Sequence, residues 1–215
     1  MTHSQYGQDN FVINYFNNKK DGYFVDVGAF NDGNDTILLE ELGWSGICIE
    51  PITGAYQELT EKRSCTCLNV CVGNENKQVD FSENVSNDSD SGWYAYTSAL
   101  SGVVESYSQE HLNRISQENK DWNGKSVIVK KQMMTLTSIF EKNNSPSHIE
   151  YLKIDIEGGE LSCLQGIDFT KNTFDLISLE ANYEHETRPC VDLLARHGYA
   201  PFVKLGVDIF FRKLM

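Results

Sequence analysis

Positive charge is scarce in this chain: 18 Lys and Arg stand against 31 Asp and Glu, for a formal net charge of -13. Polyanion binding relies on clustered Lys and Arg that release counterions from phosphates, so the shortage argues against a nucleic-acid partner. Proline is sparse too, at 4 residues, and shares of 40% hydrophobic and 23% charged residues are ordinary for a globular chain, which excludes a Pro-rich disordered one. No apolar run approaches the ~20 residues that cross a bilayer. The opening MTHSQYGQDN lacks the basic region and apolar stretch of an export signal. Neither a membrane span nor export is expected, and the expected location is cytoplasmic. None of the six cysteines forms a C-x-x-C pair. Cys65, Cys67 and Cys71 fall at even offsets, so one strand would set all three on one face, where it cannot wrap a tetrahedral ion; buried free thiols are expected rather than a zinc site.

What is present is an alternation. A length of 215 residues suits one domain, and strand-like segments alternate with helix-like ones, the signature of a parallel sheet with crossover helices. Strands are expected at 23–27, 46–50, 65–72, 126–134, 148–157 and 174–179. Helices are expected at 37–42, 53–63, 135–143, 158–166 and 188–197. NENKQVDF reads as a short hairpin after Gly73. The segments 199–204 and 208–212, only three residues apart, suggest an antiparallel hairpin at the sheet edge. The stretch 83–124 breaks the rhythm: it mixes Asn, Ser, Asp and Gly with Trp93, Tyr94, Tyr96, Tyr107 and Trp122. It reads as an insertion, a lid or binding element if not a plain surface excursion, with 103–115 as its helical part.

Three strand ends carry the chemistry. In GYFVDVGAFNDGNDT a strand holding Asp26 runs into Gly28 and a Gly/Asn/Asp turn. Glycine at the carboxyl end of a first strand lets the backbone approach a nucleotide-like ligand without a Cβ clash. The G-x-G-x-x-G that seats a dinucleotide pyrophosphate is incomplete here, and Asp26 would repel a pyrophosphate but attract an ammonium. In GICIEP, Glu50 stands where an acid grips ribose hydroxyls. In YLKIDIEGGEL, Asp155 and Glu157 alternate at the end of a buried strand, which would point both toward the sheet's carboxyl edge; one acid capping the following helix is the structural alternative.

These pieces together resemble the FkbM-type methyltransferases. That family shows F-V-D-V-G-A-N-x-G, a strand-end E-P, L-N-V-A-V-G, T-L-D and L-K-I-D-V-E-G-A-E, and here FVDVGAFNDG, IEP, LNVCVG, TLTSIF and LKIDIEGGE follow in that order. SQYGQD resembles a lead-in of one branch. The departures are AFNDG in place of A-N-x-G at Asn31, and Thr137 in place of the Asp of T-L-D. The resemblance implies a Rossmann-like class I methyltransferase fold, α/β with a mostly parallel seven-stranded sheet and an antiparallel edge hairpin. It also implies S-adenosylmethionine as cofactor and methyl transfer to a hydroxyl of a sugar or other small molecule. Carried over by position, Asp26 and Gly28 sit at the methionine end, Glu50 at the ribose, Asn69 and Val70 or the residues after them beside adenine, and Asp155 and Glu157 at the transfer site; Asn31, Thr36 and Pro51 belong to the cofactor set without an assigned subsite.

Transfer from a sulfonium needs a positioned oxygen and a base to take its proton. The candidates are Asp155, Glu157, Glu180 and His185, the last a surface residue in the blander reading. Asp155 with Glu180 and Asn182, at adjacent strand ends, offers hard oxygen ligands for a divalent cation such as Mg²⁺. Two other classes stay open: a nicotinamide-dependent oxidoreductase, and a non-catalytic module that keeps the cofactor pocket.

Overall fold

The computed structural model describes residues 2–86 and 98–214. Trp93, Tyr94 and Tyr96 lie outside the described residues. In chain order come α1 (Gln8–Tyr15), β1 (Tyr23–Val27), α2 (Ile37–Glu41), β2 (Ser45–Ile49), α3 (Thr53–Lys62), β3 (Thr66–Leu68), β4 (Cys71–Val72), β5 (Lys77–Ser86) and β6 (Gly102–Val103). They are followed by α4 (Gln109–Asp121), β7 (Gly124–Met134), α5 (Leu136–Lys142), β8 (His148–Ile154), α6 (Glu160–Gln165), β9 (Thr173–Glu180), α7 (Glu184–Arg196), β10 (Tyr199–Leu205) and β11 (Asp208–Lys213).

The main sheet has seven strands in the order β10-β11-β9-β8-β1-β2-β3. Pairings from β9 through β3 are parallel, and β11 runs antiparallel both to β9 and to β10. The class I methyltransferase architecture is therefore present, edge hairpin included. Alternation sorts the two faces: Val25, Val27, Ile47, Ile49, Ile149 and Ile154 pack into one apolar cluster, while Phe24, Cys48, Tyr151, Leu176 and Phe210 pack into another with α1 and Trp44. Helices cover both faces, which is why β8 is buried from Ile149 to Ile154 and apolar there except at Glu150 and Lys153. Sequence signals fixed several ends. Thr135 Oγ1 accepts from Ser138 N at 3.1 Å to open α5, and Gly43, at φ 95, stops the turn after α2.

A second sheet, in the order β4-β7-β5-β6, was not foreseen. NENKQVDF is no hairpin: β5 pairs antiparallel with β7 from Lys77↔Met133 to Ser86↔Gly124 without a break. The insertion thus stands on a long two-stranded ribbon, and its expected limits at 83 and 124 fall within or at the ends of those strands. The single strand expected at 65–72 is two, because the chain leaves the main sheet after Leu68 and joins the ribbon at Cys71. Cys71 therefore does not share a strand with Cys65 and Cys67. All six cysteines are free thiols. Helix α4 lies at 109–121, later than expected, and α7 begins at Glu184, four residues before its expected start and with Pro189 inside it. Among the described residues no helix is long and apolar enough to cross a membrane.

Candidate active site

Chain direction reverses its sideways progression between β1 and β8, and doubly wound sheets open a crevice at such a switch point, beyond the carboxyl ends of the strands. Gly28, Glu50, Asp155 and Glu180 all stand at those ends and line one cavity of ≈ 320 Å³. Gly28 takes φ +83, and a Cβ there would sit 1.8 Å from the Asp155 carbonyl oxygen, so only glycine lets the turn after β1 lie against the loop after β8.

Asp26 is not on the cavity wall, contrary to its expected position at the methionine end. It pairs with Lys153 across β1 and β8 and with Cys48 across β1 and β2, on a face buried by helices. Its Oδ2 accepts from Thr36 Oγ1 at 2.8 Å, and its Oδ1 faces Lys153 Nζ at 3.4 Å. Lys153 is the hub that sequence reasoning missed. Its ammonium lies 3.4 Å from carboxylate oxygens of Asp26, Asp35 and Asp155 and donates to the Gly28 carbonyl at 3.1 Å. Burial opposes that charge, but Asp26, Asp155, Asp35 and Asp208 outweigh it and hold the ammonium above the ordinary lysine range. The visible clue was a lone Lys in the middle of a buried apolar strand, a position that demands anionic partners.

Glu50 is 3% exposed. Its Oε2 accepts from Phe30 N at 2.9 Å and its Oε1 from Ile52 N at 2.7 Å, so the loop after β1 and the start of α3 hold the carboxylate from two sides. Burial pushes it up to about 7, against the pull of those amides. Pro51, Ile52, Val70 and Phe81 continue the wall. Asn69 stands behind it, its amide donating to the Glu50 and Pro51 carbonyls at 2.8 and 3.0 Å.

At the other end Asp155, Glu157 and Glu180 each bring a carboxylate oxygen within 4.8 Å of the others. Contrary to the expectation from the sequence, the first two do not alternate on a strand: β8 ends at Ile154, and Asp155 and Glu157 both lie in the following loop. Glu157 adopts a left-handed φ of 55, uncommon outside glycine and concentrated at functional sites. Its Oε2 is buried without a hydrogen-bond partner. Two side chains of α4 approach that atom, His111 Nδ1 at 3.6 Å and Arg114 Nη1 at 3.7 Å. Burial, then the Asp155 charge, raise Glu157 above the usual carboxylate range, and Glu180 is raised by burial and by Asp155 and Glu157. Glu160, not lining the cavity, caps the loop by accepting from Ile156 N at 3.1 Å and Gly158 N at 3.3 Å. No pattern within 83–124 flagged His111 or Arg114.

Other expected site residues stand apart. Asn31 donates to Glu58 at 2.9 Å outside the cavity, Thr36 is buried behind the glycine turn, and Asn182 lines a small neighbouring pocket together with Glu180. His185 is 56% exposed, beside Glu110 and Glu186. The described part of the insertion lines the cavity with Ser98, Ser101, Val103, Ser106 and Arg114 rather than with aromatics. Tyr107 stacks on His111, 4.6 Å between centroids, and Trp122 closes α4 by donating to Glu118 at 2.8 Å.

Comparison with known proteins fits this geometry. Among solved structures, the METTL16 MTase domain has a TM-score of 0.50 at 11% identity, covering 96% of this chain and 66% of that one. A ribosomal protein L11 methylase from Lactobacillus delbrueckii subsp. bulgaricus gives 0.47 at 10% identity, over 96% and 78%. Precorrin-6y C5,15-methyltransferase from Geobacter metallireducens gives 0.43 at 11%, over 98% and 90%. At this identity the first likeness speaks to fold alone, and nothing is drawn from the other two. No curated protein matches the chain significantly. The model of the methyltransferase FkbM domain matches residues 26–201. Spanning the glycine turn, Glu50, the acidic loop and the sheet as far as β10, that match shows that the chain belongs to the FkbM family of S-adenosylmethionine-dependent methyltransferases.

Proposed function

We propose that this methyltransferase moves the methyl group of S-adenosylmethionine to a hydroxyl oxygen of a small, hydroxyl-rich molecule such as a sugar. The observation that carries the reading is continuity: one cavity of ≈ 320 Å³ joins Glu50 to Asp155, Glu157 and Glu180, within the size range of small-molecule sites. The donor set suits the cofactor. Glu50, fixed by two amides, keeps lone pairs for ribose hydroxyls, and Ile52, Val70 and Phe81 offer apolar surface to adenine. The bare backbone at Gly28 admits the methionine end. When bound, the cofactor supplies a sulfonium-activated methyl carbon. The chain's own task is then to hold an acceptor oxygen ~3 Å from that carbon and remove its proton. Glu157 and Glu180, the carboxyls at that end of the cavity, are the groups for that step in their ionised forms, which burial and the Asp155 charge make the minority near neutral pH. The described part of the insertion would act as the wall, or lid, of the acceptor end.

Arg114 is the one cationic side chain on the described wall, against Glu50, Asp155, Glu157 and Glu180. Such a wall repels phosphates, which favours an uncharged acceptor over nucleic acid. Family membership in a methyltransferase group also removes the nicotinamide alternative. Incubation with methyl-labelled cofactor and a panel of saccharides, read by NMR, tests the assignment: a new methyl ether supports it. Label on nitrogen, carbon or RNA, with none on any saccharide, contradicts it.

A specific observation favours a second reading, in which the acids hold a divalent cation. Three carboxylates within 4.8 Å and the unpartnered Glu157 Oε2 fit hard-cation ligation, with Glu157 in the place expected for Asn182. Activity lost in EDTA and restored by Mg²⁺ supports the cation; indifference to EDTA assigns the acids to proton transfer alone.

A further inference from the structure

We infer that Cys48 and Cys65 form an oxidisable dithiol, a modification site whose disulfide is coupled to the cofactor's glycine turn through Arg63. Cys48 lies in β2, 0% exposed, and Cys65 is half-buried just before β3. The two sulfurs lie 3.5 Å apart, close enough for the Cys48 S–H to donate to a Cys65 thiolate. A disulfide requires the sulfurs at ~2.05 Å, so closure needs a shift of roughly 1.5 Å at a short loop next to a sheet edge.

A second, independent feature points to thiolate chemistry. The Arg63 side chain is fully buried; its Nε donates to Glu40 at 2.6 Å, while its Nη2 is buried with no hydrogen-bond partner. A Cys65 thiolate, favoured by the Arg63 charge, would offer this guanidinium a second anionic partner besides Glu40. The Cys48 thiol, and to a lesser degree Arg63, hold the Cys65 thiol below its usual range, with burial and Glu40 opposing. Nucleophilic thiols are those with such cationic, partly exposed surroundings.

The oxidant is a peroxide. Cys65 gives its proton to solvent, and its thiolate attacks one peroxide oxygen; the O–O bond breaks, and the departing hydroxide recovers a proton as water, leaving a sulfenic acid. The Cys48 sulfur then attacks the Cys65 sulfur; the S–S bond forms, the S–O bond breaks, and the leaving hydroxide takes the Cys48 proton as a second water. Two thiols are oxidised and one peroxide is reduced.

The coupling follows from what Arg63 holds. Its Nη1 donates to the carbonyls of Gly33 at 2.9 Å and Asp32 at 3.2 Å and to Thr36 Oγ1 at 3.2 Å, which fixes the turn between β1 and α2. Drawing Cys65 toward β2 moves the chain two residues from Arg63 and removes the thiolate that would balance its charge. Oxidation is therefore expected to loosen the turn and weaken cofactor binding. This coupling rests on the cofactor placement proposed above; the disulfide itself does not.

The test treats the reduced full chain with hydrogen peroxide, alkylates the remaining thiols and maps tryptic peptides. The expected product joins peptide 21–62 to peptide 64–77, in the parent and in Cys67→Ser, and is absent in Cys65→Ser. No joined peptide, or one lost in Cys67→Ser and kept in Cys65→Ser, overturns the site. Calorimetry with S-adenosylhomocysteine should then show at least about fivefold weaker binding by the oxidised parent, the lower end of ordinary coupling between sites, and no peroxide effect in Cys65→Ser. Equal affinity of the two forms overturns the coupling. Failure of the reduced chain to bind at all would instead indict the cofactor placement.

Discussion

The two ends of the cavity hold the same functional group in opposite states. At one end Glu50 is almost fully buried, yet each carboxylate oxygen has a backbone amide. At the other, Glu157 keeps an oxygen with no hydrogen bond and shares its space with Asp155 and Glu180. A carboxylate fixed by amides is rigid and suited to gripping hydroxyls that do not react. One surrounded by like charge has a free-energy reason to accept a proton. The contrast assigns binding to the first end and chemistry to the second.

The comparison breaks most visibly if the acids are neutralised. Glu157→Gln and Glu180→Gln keep shape and remove the ionisable carboxyl, and each should lower kcat by ~100-fold or more. Their calorimetric affinity for S-adenosylhomocysteine should change by less than about threefold. Glu50→Ala should do the reverse, weakening that affinity at least ~tenfold, since it removes charged hydrogen bonds to the ribose. Unchanged affinity would remove Glu50 from the ribose site.

A smaller effect sharpens the contrast through stability. Below the ordinary carboxylate range Glu180 is protonated in both the folded and the unfolded chain and contributes no pH dependence. As pH rises through that range the unfolded chain ionises freely, while the folded one resists because its value is raised by burial and by Asp155 and Glu157. The parent should therefore lose stability relative to Glu180→Gln until pH passes the raised value. Thermal melts should show no Tm difference near pH 4 and a gain of a few degrees for the variant near pH 8. A variant less stable than the parent at pH 8 would mean that something holds Glu180 ionised, as a bound cation does. Least of all, Asn31→Ala and His185→Ala, both outside the cavity, should leave Kd and kcat within about twofold.

The parallel sheet was legible because its strands are short apolar runs, most of them ended by Gly or an acid, and because three of its parallel pairings, β1-β2, β2-β3 and β8-β9, join strands one helix apart. Glu50, Gly28 and Asp155 were legible for the same reason, as strand ends at the carboxyl edge. The ribbon was not. KQVDFSENVS is polar at seven of its ten positions, with only Val79 and Phe81 as buried apolar side chains, and its partner β7 lies about forty residues on. His111 and Arg114 reach Glu157 only because that ribbon carries α4 over the site, a juxtaposition no local pattern encodes. Asp26 was misplaced for a different reason: the sequence shows an acid at a strand end but not Lys153 on the neighbouring strand, which turns it inward.

The most direct test is single-turnover methyl transfer by Glu50→Ala and Glu157→Gln, each measured up to saturating S-adenosylmethionine. The account predicts that Glu50→Ala regains a rate close to the parent once cofactor is saturating, whereas Glu157→Gln stays ~100-fold slow at every concentration. A Glu157→Gln rate equal to the parent, or a Glu50→Ala defect that saturation does not repair, would contradict the division between a binding end and a reacting end.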